Sequence, residues 1–186
     1  GKMEDMGIKV LLGRSTTAIV GETLAEGVAF DDGSILECDL VVVAAGIRPN
    51  VDLGHKAGLN VNRGIVVNDY METTRPDVFA IGECVEHNGI CYGLVAPLLD
   101  QGKVLAATIT GNKGPTYSGT IQASKLKIMG VEVFSAGDWS EQHSEPVRYE
   151  DRALGIYKKL TVRDGKLVGA ILVGDTSDSH RYMEWL

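Results

Sequence analysis

The run Leu40-Val-Val-Val-Ala-Ala-Gly-Ile47 constrains the fold more than any other stretch of this chain. Residues 40–44 carry no polar alternation and are rich in Val. A strand with one solvated face alternates polar and apolar residues, whereas a strand covered on both faces reads as an unbroken apolar run. Leu40–Ala44 is therefore predicted to be a buried strand of a parallel sheet flanked by helices, which sets the fold class as α/β. The run is also far shorter than the roughly 18 apolar residues that suggest a membrane span, so a membrane is not expected as a partner.

Around this run the first third reads as a β-meander. Ile8–Leu12 and Thr16–Val20 are short apolar segments. Leu24–Phe30 meets the turn signal Asp31-Asp-Gly-Ser34, and Ile35–Cys38 returns. The middle is rich in loops, with a short helix expected over Val51–Ala57 and short strands over Gly64–Asn68 and Val78–Ile81. Pro76 forces the residue before it into an extended conformation, and Gly82 permits a tight turn after the second of these strands.

The clearest helix spans Gly93–Thr110. Leu94, Leu98, Leu105 and Ile109 share a face, with Val95, Leu99 and Ala106 beside it. Pro97 is tolerated only in a first turn, so the helix should start near Val95. Gly111 should end it. Gly102 in its interior suggests close packing there. After the linker Gly114-Pro115 the pattern changes to short strands over Leu126–Met129, Val131–Phe134, Gly155–Val162 and Leu167–Val173. A hairpin turn at Arg163-Asp-Gly-Lys166 joins the last two, and a final helix covers Ser177–Leu186.

Composition narrows the function classes. Lys plus Arg number 18 against 25 Asp plus Glu, a net charge of −7 over 186 residues, and no basic block stands out, so nucleic acid is not an expected partner. The three cysteines cannot all pair within one chain and fit a reducing compartment. No signal peptide is visible, so the expected location is cytoplasmic. The chain opens without Met at position 1 and stops at Glu184-Trp-Leu186, so it is expected to be a piece of something longer.

No Gly-x-Gly-x-x-Gly spacing and no Walker-type loop occurs, which disfavours a self-sufficient nucleotide-binding enzyme. What is present resembles the second half of a flavoprotein. Asp39-Leu-Val-Val-Val-Ala-Ala-Gly-Ile-Arg-Pro-Asn50 is similar to the Asp-x-hydrophobic-Ala-x-Gly-x-x-Pro-Asn segment of FAD- and NAD(P)H-dependent, disulfide-reductase-like enzymes. Residues 73–83, Thr-Thr-Arg-Pro-Asp-Val-Phe-Ala-Ile-Gly-Glu, resemble their second FAD motif. Within that superfamily, Gly82-Glu-Cys-Val-Glu-His-Asn-Gly89 and Tyr92-Gly-Leu-Val-Ala-Pro-Leu-Leu-Asp-Gln101 are most similar to the large subunits of NAD(P)H-dependent nitrite reductases.

The resemblance implies a partial FAD/NAD(P)H-binding fold: a β-meander plus a Rossmann-type half, followed by a small α+β C-terminal domain. The implied boundaries are 1–46 for the tail of the NAD(P)H-binding domain, 47–115 for the second half of the FAD-binding domain, and 116–186 for the C-terminal domain. It places Gly46, Arg48, Gly82, Glu83, Leu94 and Val95 at the cofactor. Glu83 stands where the wider family carries Asp, keeping a carboxylate one methylene longer, as the nitrite reductases also do. The start of the Val95 helix would point at the pyrimidine edge of the flavin, where a positive helix end stabilises negative charge.

The parent enzyme would pass electrons from NAD(P)H through FAD to iron–sulfur and haem-type centres. A rubredoxin-type acceptor reductase and a non-catalytic interaction module are the competing readings. The isolated chain is expected to be inactive and to hold little or no FAD. Leu40–Ala44, cut from the strands it would pair with, would expose a Val-rich face, so either disorder in the first forty-odd residues or burial of that face against another copy of the chain is expected.

Other features stay open. Glu83 also reads as a solvated acid, and the Val95 helix start as simple packing. Cys84 and Cys91 are separated by six residues, which does not suit a redox pair, and Cys84 reads better as a small buried apolar group. Cys84, His87 and Cys91 could be read as metal ligands, but no fourth is evident, so no metal is expected. Glu86 and His87 read either as polar groups near the flavin or as part of an exposed loop.

Overall fold

A computed structural model describes residues 2–112, 114–128 and 130–186. The chain forms two compact units, Gly1–Gly46 and Ile47–Leu186.

In the first unit, α1 (Lys2–Asp5) precedes β1 (Thr16–Val20), β2 (Gly27–Phe30) and β3 (Ile35–Glu37). The strands form an antiparallel sheet in the order β1-β2-β3. Gly33 takes φ +79° at the β2–β3 turn. There Asp32 Oδ1 accepts from the Ser34 amide at 2.9 Å and from the Ser34 hydroxyl at 2.5 Å.

Two expectations fail in this unit. Ile8–Leu12 is not a strand. Leu40–Ala44 is neither a strand nor buried: Leu40, Val42 and Val43 are 77%, 79% and 75% exposed. An apolar run becomes a two-faced strand only when strands flank it and helices cover it, and among the described residues no strand pairs with this one.

The second unit opens with α2 (Asp52–Lys56), followed by β4 (Ile65–Val67), β5 (Val85–His87) and β6 (Ile90–Cys91). β5 runs parallel to β4 and antiparallel to β6. The strand expected over Val78–Ile81 is instead one isolated bridge, Phe79 to Glu72. Asn88 and Gly89, with φ +49° and +79°, make the β5–β6 turn. An Asn-Gly pair favours this turn because both positions need positive φ.

Helix α3 (Val95–Ile109) follows. Its buried stripe is Pro97, Gln101, Val104 and Thr108, not the Leu94/Leu98/Leu105/Ile109 face that hydrophobicity suggests. Leu99 and Ile109 are exposed. Gln101 and Thr108 can be buried because each finds a partner: Gln101 accepts from the Gly82 amide, and the Thr108 hydroxyl donates to the Tyr70 carbonyl. Gly102 shows no close packing, since a Cβ there would have no neighbour within 4 Å. Gly111, at φ +78°, closes the helix with its amide on the Thr108 carbonyl. Val67, Met71, Val85, Tyr92, Val104 and Tyr117 form the core between α3 and β4–β6.

The remainder of this unit is a five-stranded antiparallel sheet with a short helix. Its strands are β7 (Ala123–Ile128), β8 (Val131–Gly137), β9 (Glu145–Asp151), β10 (Ile156–Arg163) and β11 (Lys166–Val173), in the order β7-β8-β11-β10-β9. The expected strand end at Met129 lies outside the described residues. Asp164 and Gly165, at φ +51° and +72°, form the β10–β11 turn. Helix α4 (Ser179–Trp185) lies on the sheet, with Tyr182 and Met183 packed against Phe134, Ala136, Ala170 and Leu172. Asp178, its N-cap, turns its carboxylate to Lys158 at 3.0 Å instead of capping the helix.

Candidate functional site

Gly82 is at the hinge of the site. It has φ +106°, which suits Gly, and its carbonyl accepts from the Val85 amide at 3.2 Å to close a tight turn. Its amide donates to Gln101 Oε1 at 2.9 Å. Gln101 has 0% exposure and its Nε2 has no partner. The Gly82 turn is thereby fastened to the seventh residue of α3, about 9 Å along the axis from its start. Glu83, next in sequence, is exposed.

The start of α3 is open. Leu94 occupies the N-cap in extended conformation (φ −121°, ψ 154°), makes no side-chain cap, and no acidic residue stands in the first turn. Val95 is 70% exposed. The first amides of such a helix present a positive end with no carboxylate of their own first turn to neutralise it. A Cβ on Gly93 would lie 2.8 Å from Ile47 Cδ1, so the segment that carries Arg48 reaches the residue before the N-cap. Arg48 itself is exposed. Gly46 ends the other unit, with φ +85° and open space around it. The structure thus ties Gly82 to α3, and Leu94 and Val95 form the mouth of that helix.

Leu94 also lines a cleft of about 660 Å³. Ile90, Tyr92, the segment Thr120–Ser124 and the loop Asp138-Trp-Ser140 line it as well. Burial and the neighbouring Tyr117 hydroxyl push the Tyr92 phenol up to about 12, so it stays a neutral donor.

Glu86 and His87 are buried strand residues, which corrects the exposed-loop reading. The Glu86 carboxylate accepts from Asn62 Nδ2 at 3.1 Å, the Arg63 amide at 2.9 Å and the Gly64 amide at 3.3 Å. These bonds, led by that from Asn62, hold its pKa below the ordinary value. His87 Nε2 lies 2.8 Å from Asp69 Oδ1, and its ring stacks edge-on to Tyr117 at 4.9 Å. The Cys84 thiol donates to the Ile81 carbonyl at 3.6 Å. Burial, ahead of the nearby Glu86 charge, pushes the Cys91 thiol up. Among the described residues no group of three or more His, Cys, Asp or Glu could hold a metal ion. No helix of the described residues is long and apolar enough to cross a membrane.

Sequence reasoning missed the parts played by Gln101, Asp69 and Trp139. Asn88-Gly89 was the available signal for the hairpin that buries Glu86 and His87. The Trp139 wall depends on a contact across the fold and leaves no local signal.

A family model described as pyridine nucleotide-disulphide oxidoreductase matches residues 1–108, and one described as rubredoxin NAD+ reductase C-terminal domain matches residues 123–186. The chain is 49% identical over 181 residues to a nitrite reductase [NAD(P)H] of Bacillus subtilis, covering 97% of this chain and 22% of that protein. It is 31% identical over 189 residues to a rubredoxin-NAD(+) reductase of Acinetobacter baylyi, covering 96% of this chain and 46% of that one. Among solved structures, the ferredoxin reductase for the CYP199A2 system of Rhodopseudomonas palustris superposes with a TM-score of 0.81 at 27% identity, over 96% of this chain and 46% of that one. The chain spans about a fifth of the length of the nitrite reductase it matches.

Proposed function

The chain belongs to the pyridine nucleotide-disulphide oxidoreductase family, and from that premise we propose that it is the flavin-end portion of an NAD(P)H-dependent nitrite reductase. The observation that carries the nitrite reading is 49% identity to such an enzyme across 97% of the chain. Bound FAD would supply the step from two-electron hydride donation by NAD(P)H to single-electron delivery.

The residues present fit such a group. An uncapped helix start, apolar side chains at its mouth and an open cleft beside it suit a planar ring that gains negative charge. Leu94 and Val95 would border the ring, and their end of α3 would stabilise charge on its pyrimidine edge. Glu83, held outward by the Gly82 turn, would accept a hydrogen bond from a ribityl hydroxyl. Gln101 keeps that turn in place. The exposed Arg48 would complete the cofactor contacts from the segment that begins at Ile47. The domain plan behind this reading is 1–46, 47–115 and 116–186, within a cytoplasmic parent protein.

Electrons would leave for iron–sulfur and sirohaem centres elsewhere in that parent. A second reading, delivery to a rubredoxin-type acceptor, is favoured by the match of residues 123–186 to the rubredoxin reductase C-terminal domain. The deciding experiment is NAD(P)H oxidation by the full-length parent protein, with nitrite or rubredoxin as acceptor. Turnover with nitrite supports the first reading. Turnover with rubredoxin alone replaces it by the second, and a colourless parent protein refutes both.

A further inference from the structure

We propose that Lys159 is a positioning residue for Trp139, fixing the aromatic wall of the cleft. Lys159 is a β10 residue only 8% exposed, and a sheet interior is a costly place for an ammonium. An apolar side chain would pack there at less cost, so the fold alone does not call for lysine. Its Nζ donates to the Trp139 carbonyl at 2.9 Å and to Glu141 Oε1 at 3.1 Å. Glu141 is in turn bridged to Arg148 on β9.

The loop is held at two more points. Arg163 Nη2 donates to Asp138 Oδ2 at 2.7 Å and to Ser144 Oγ at 3.1 Å. Beneath it, Gly169 on β11 leaves room for the chain to cross. A Cβ there would fall 2.2 Å from the Asp138 carbonyl oxygen and 2.7 Å from the Trp139 nitrogen. The Asp138–Trp139 peptide therefore rests directly on Gly169, and the Lys159 ammonium holds the carbonyl of the next peptide unit. The indole itself makes none of these contacts, and Trp139 lines the cleft together with Leu94. This spends charge on main-chain placement and leaves one aromatic side chain free to meet a ligand. The role given to the indole rests on reading the cleft as the flavin end of the site.

The test uses the whole chain with no flavin present. Of its 2 tryptophans, Trp185 is replaced in a Trp185→Phe background, so that Trp139 is the sole emitter. In Lys159→Met, with native circular dichroism, Trp139 emission should shift to the red and acrylamide quenching should rise. Lys159→Arg should restore both. A folded Lys159→Met protein with unchanged emission and quenching overturns the proposal. If Lys159→Met does not fold, Glu141→Ala at a half-exposed position gives the same reading: raised quenching supports the clamp and unchanged quenching overturns it. A lysine that only stabilised the sheet would lower the melting temperature without moving the native-state quenching. Failure of the flavin reading would appear instead as a colourless parent protein and would leave these emission results standing.

Discussion

Replacing Glu86 tests whether a buried carboxylate holds β5 to the loop before β4. Its three donors differ in their access to water. Asn62 and Arg63 are exposed, so they regain solvent when the acceptor is removed, but the Gly64 amide is buried and does not. A bond to a charged acceptor contributes about 1.5–3 kcal/mol, and an orphaned buried donor costs about 1–3 kcal/mol. Glu86→Leu should therefore lose about 3 kcal/mol.

Glu86→Gln keeps a carbonyl oxygen for the two amides, and Asn62 can rotate its own amide to accept the new donor. That loss should be about 1 kcal/mol, the charge assistance alone. The pH dependence follows from the lowered pKa. The ionised form stabilises the fold above the ordinary value of 4.5, and this contribution is lost as pH falls through the folded-state value. The gap between wild type and Glu86→Gln should hold at neutral pH and close under acid. Urea unfolding followed by circular dichroism, at neutral pH and across the acid range, measures both. Equal losses in the Gln and Leu variants, or a wild-type–Gln gap that does not change with pH, would falsify the reasoning.

Three further outcomes are expected. In the parent protein, Glu83→Ala should weaken flavin binding roughly tenfold to a hundredfold, the loss of one charge-assisted bond; unchanged affinity by spectral titration removes Glu83 from the site. Limited proteolysis should cut near Gly114 and leave a stable piece containing β7–β11, whereas cuts scattered evenly through residues 126–173 would deny it a core of its own. Val42→Asp should reduce self-association as seen by light scattering, because it breaks the exposed apolar run Leu40–Val43; an isolated chain that is already monomeric at high concentration refutes the premise.

The sequence was most legible where local chemistry decides the outcome. The turns at Gly33 and Asp164-Gly165 follow from residues that accept positive φ, and the start of α3 near Val95 from a proline that a first turn tolerates. The run Leu40–Ala44 was misread because its pattern states what surroundings a strand needs, not whether they are there. The buried stripe of α3 was misassigned for a related reason. Gln101 and Thr108 face inward because the Gly82 amide and the Tyr70 carbonyl meet them, and those partners lie 19 and 38 residues away in sequence. Burial of Glu86 likewise depends on donors 22 to 24 residues upstream.

The strand order β7-β8-β11-β10-β9 also sets a timetable for synthesis. β7–β8, β9–β10 and β10–β11 are neighbours in sequence, so each pair closes a short loop and can form as soon as its second strand leaves the ribosome. β8 must wait for β11, the latest in sequence of the five strands of this sheet. Until then the β7–β8 hairpin has an open edge and Phe134 and Ala136 lack Ala170 and Leu172. The nascent chain is thus most prone to pairing with a neighbour after Gly137 has emerged and before Val173 has, and the translation of β11 and α4 ends that interval.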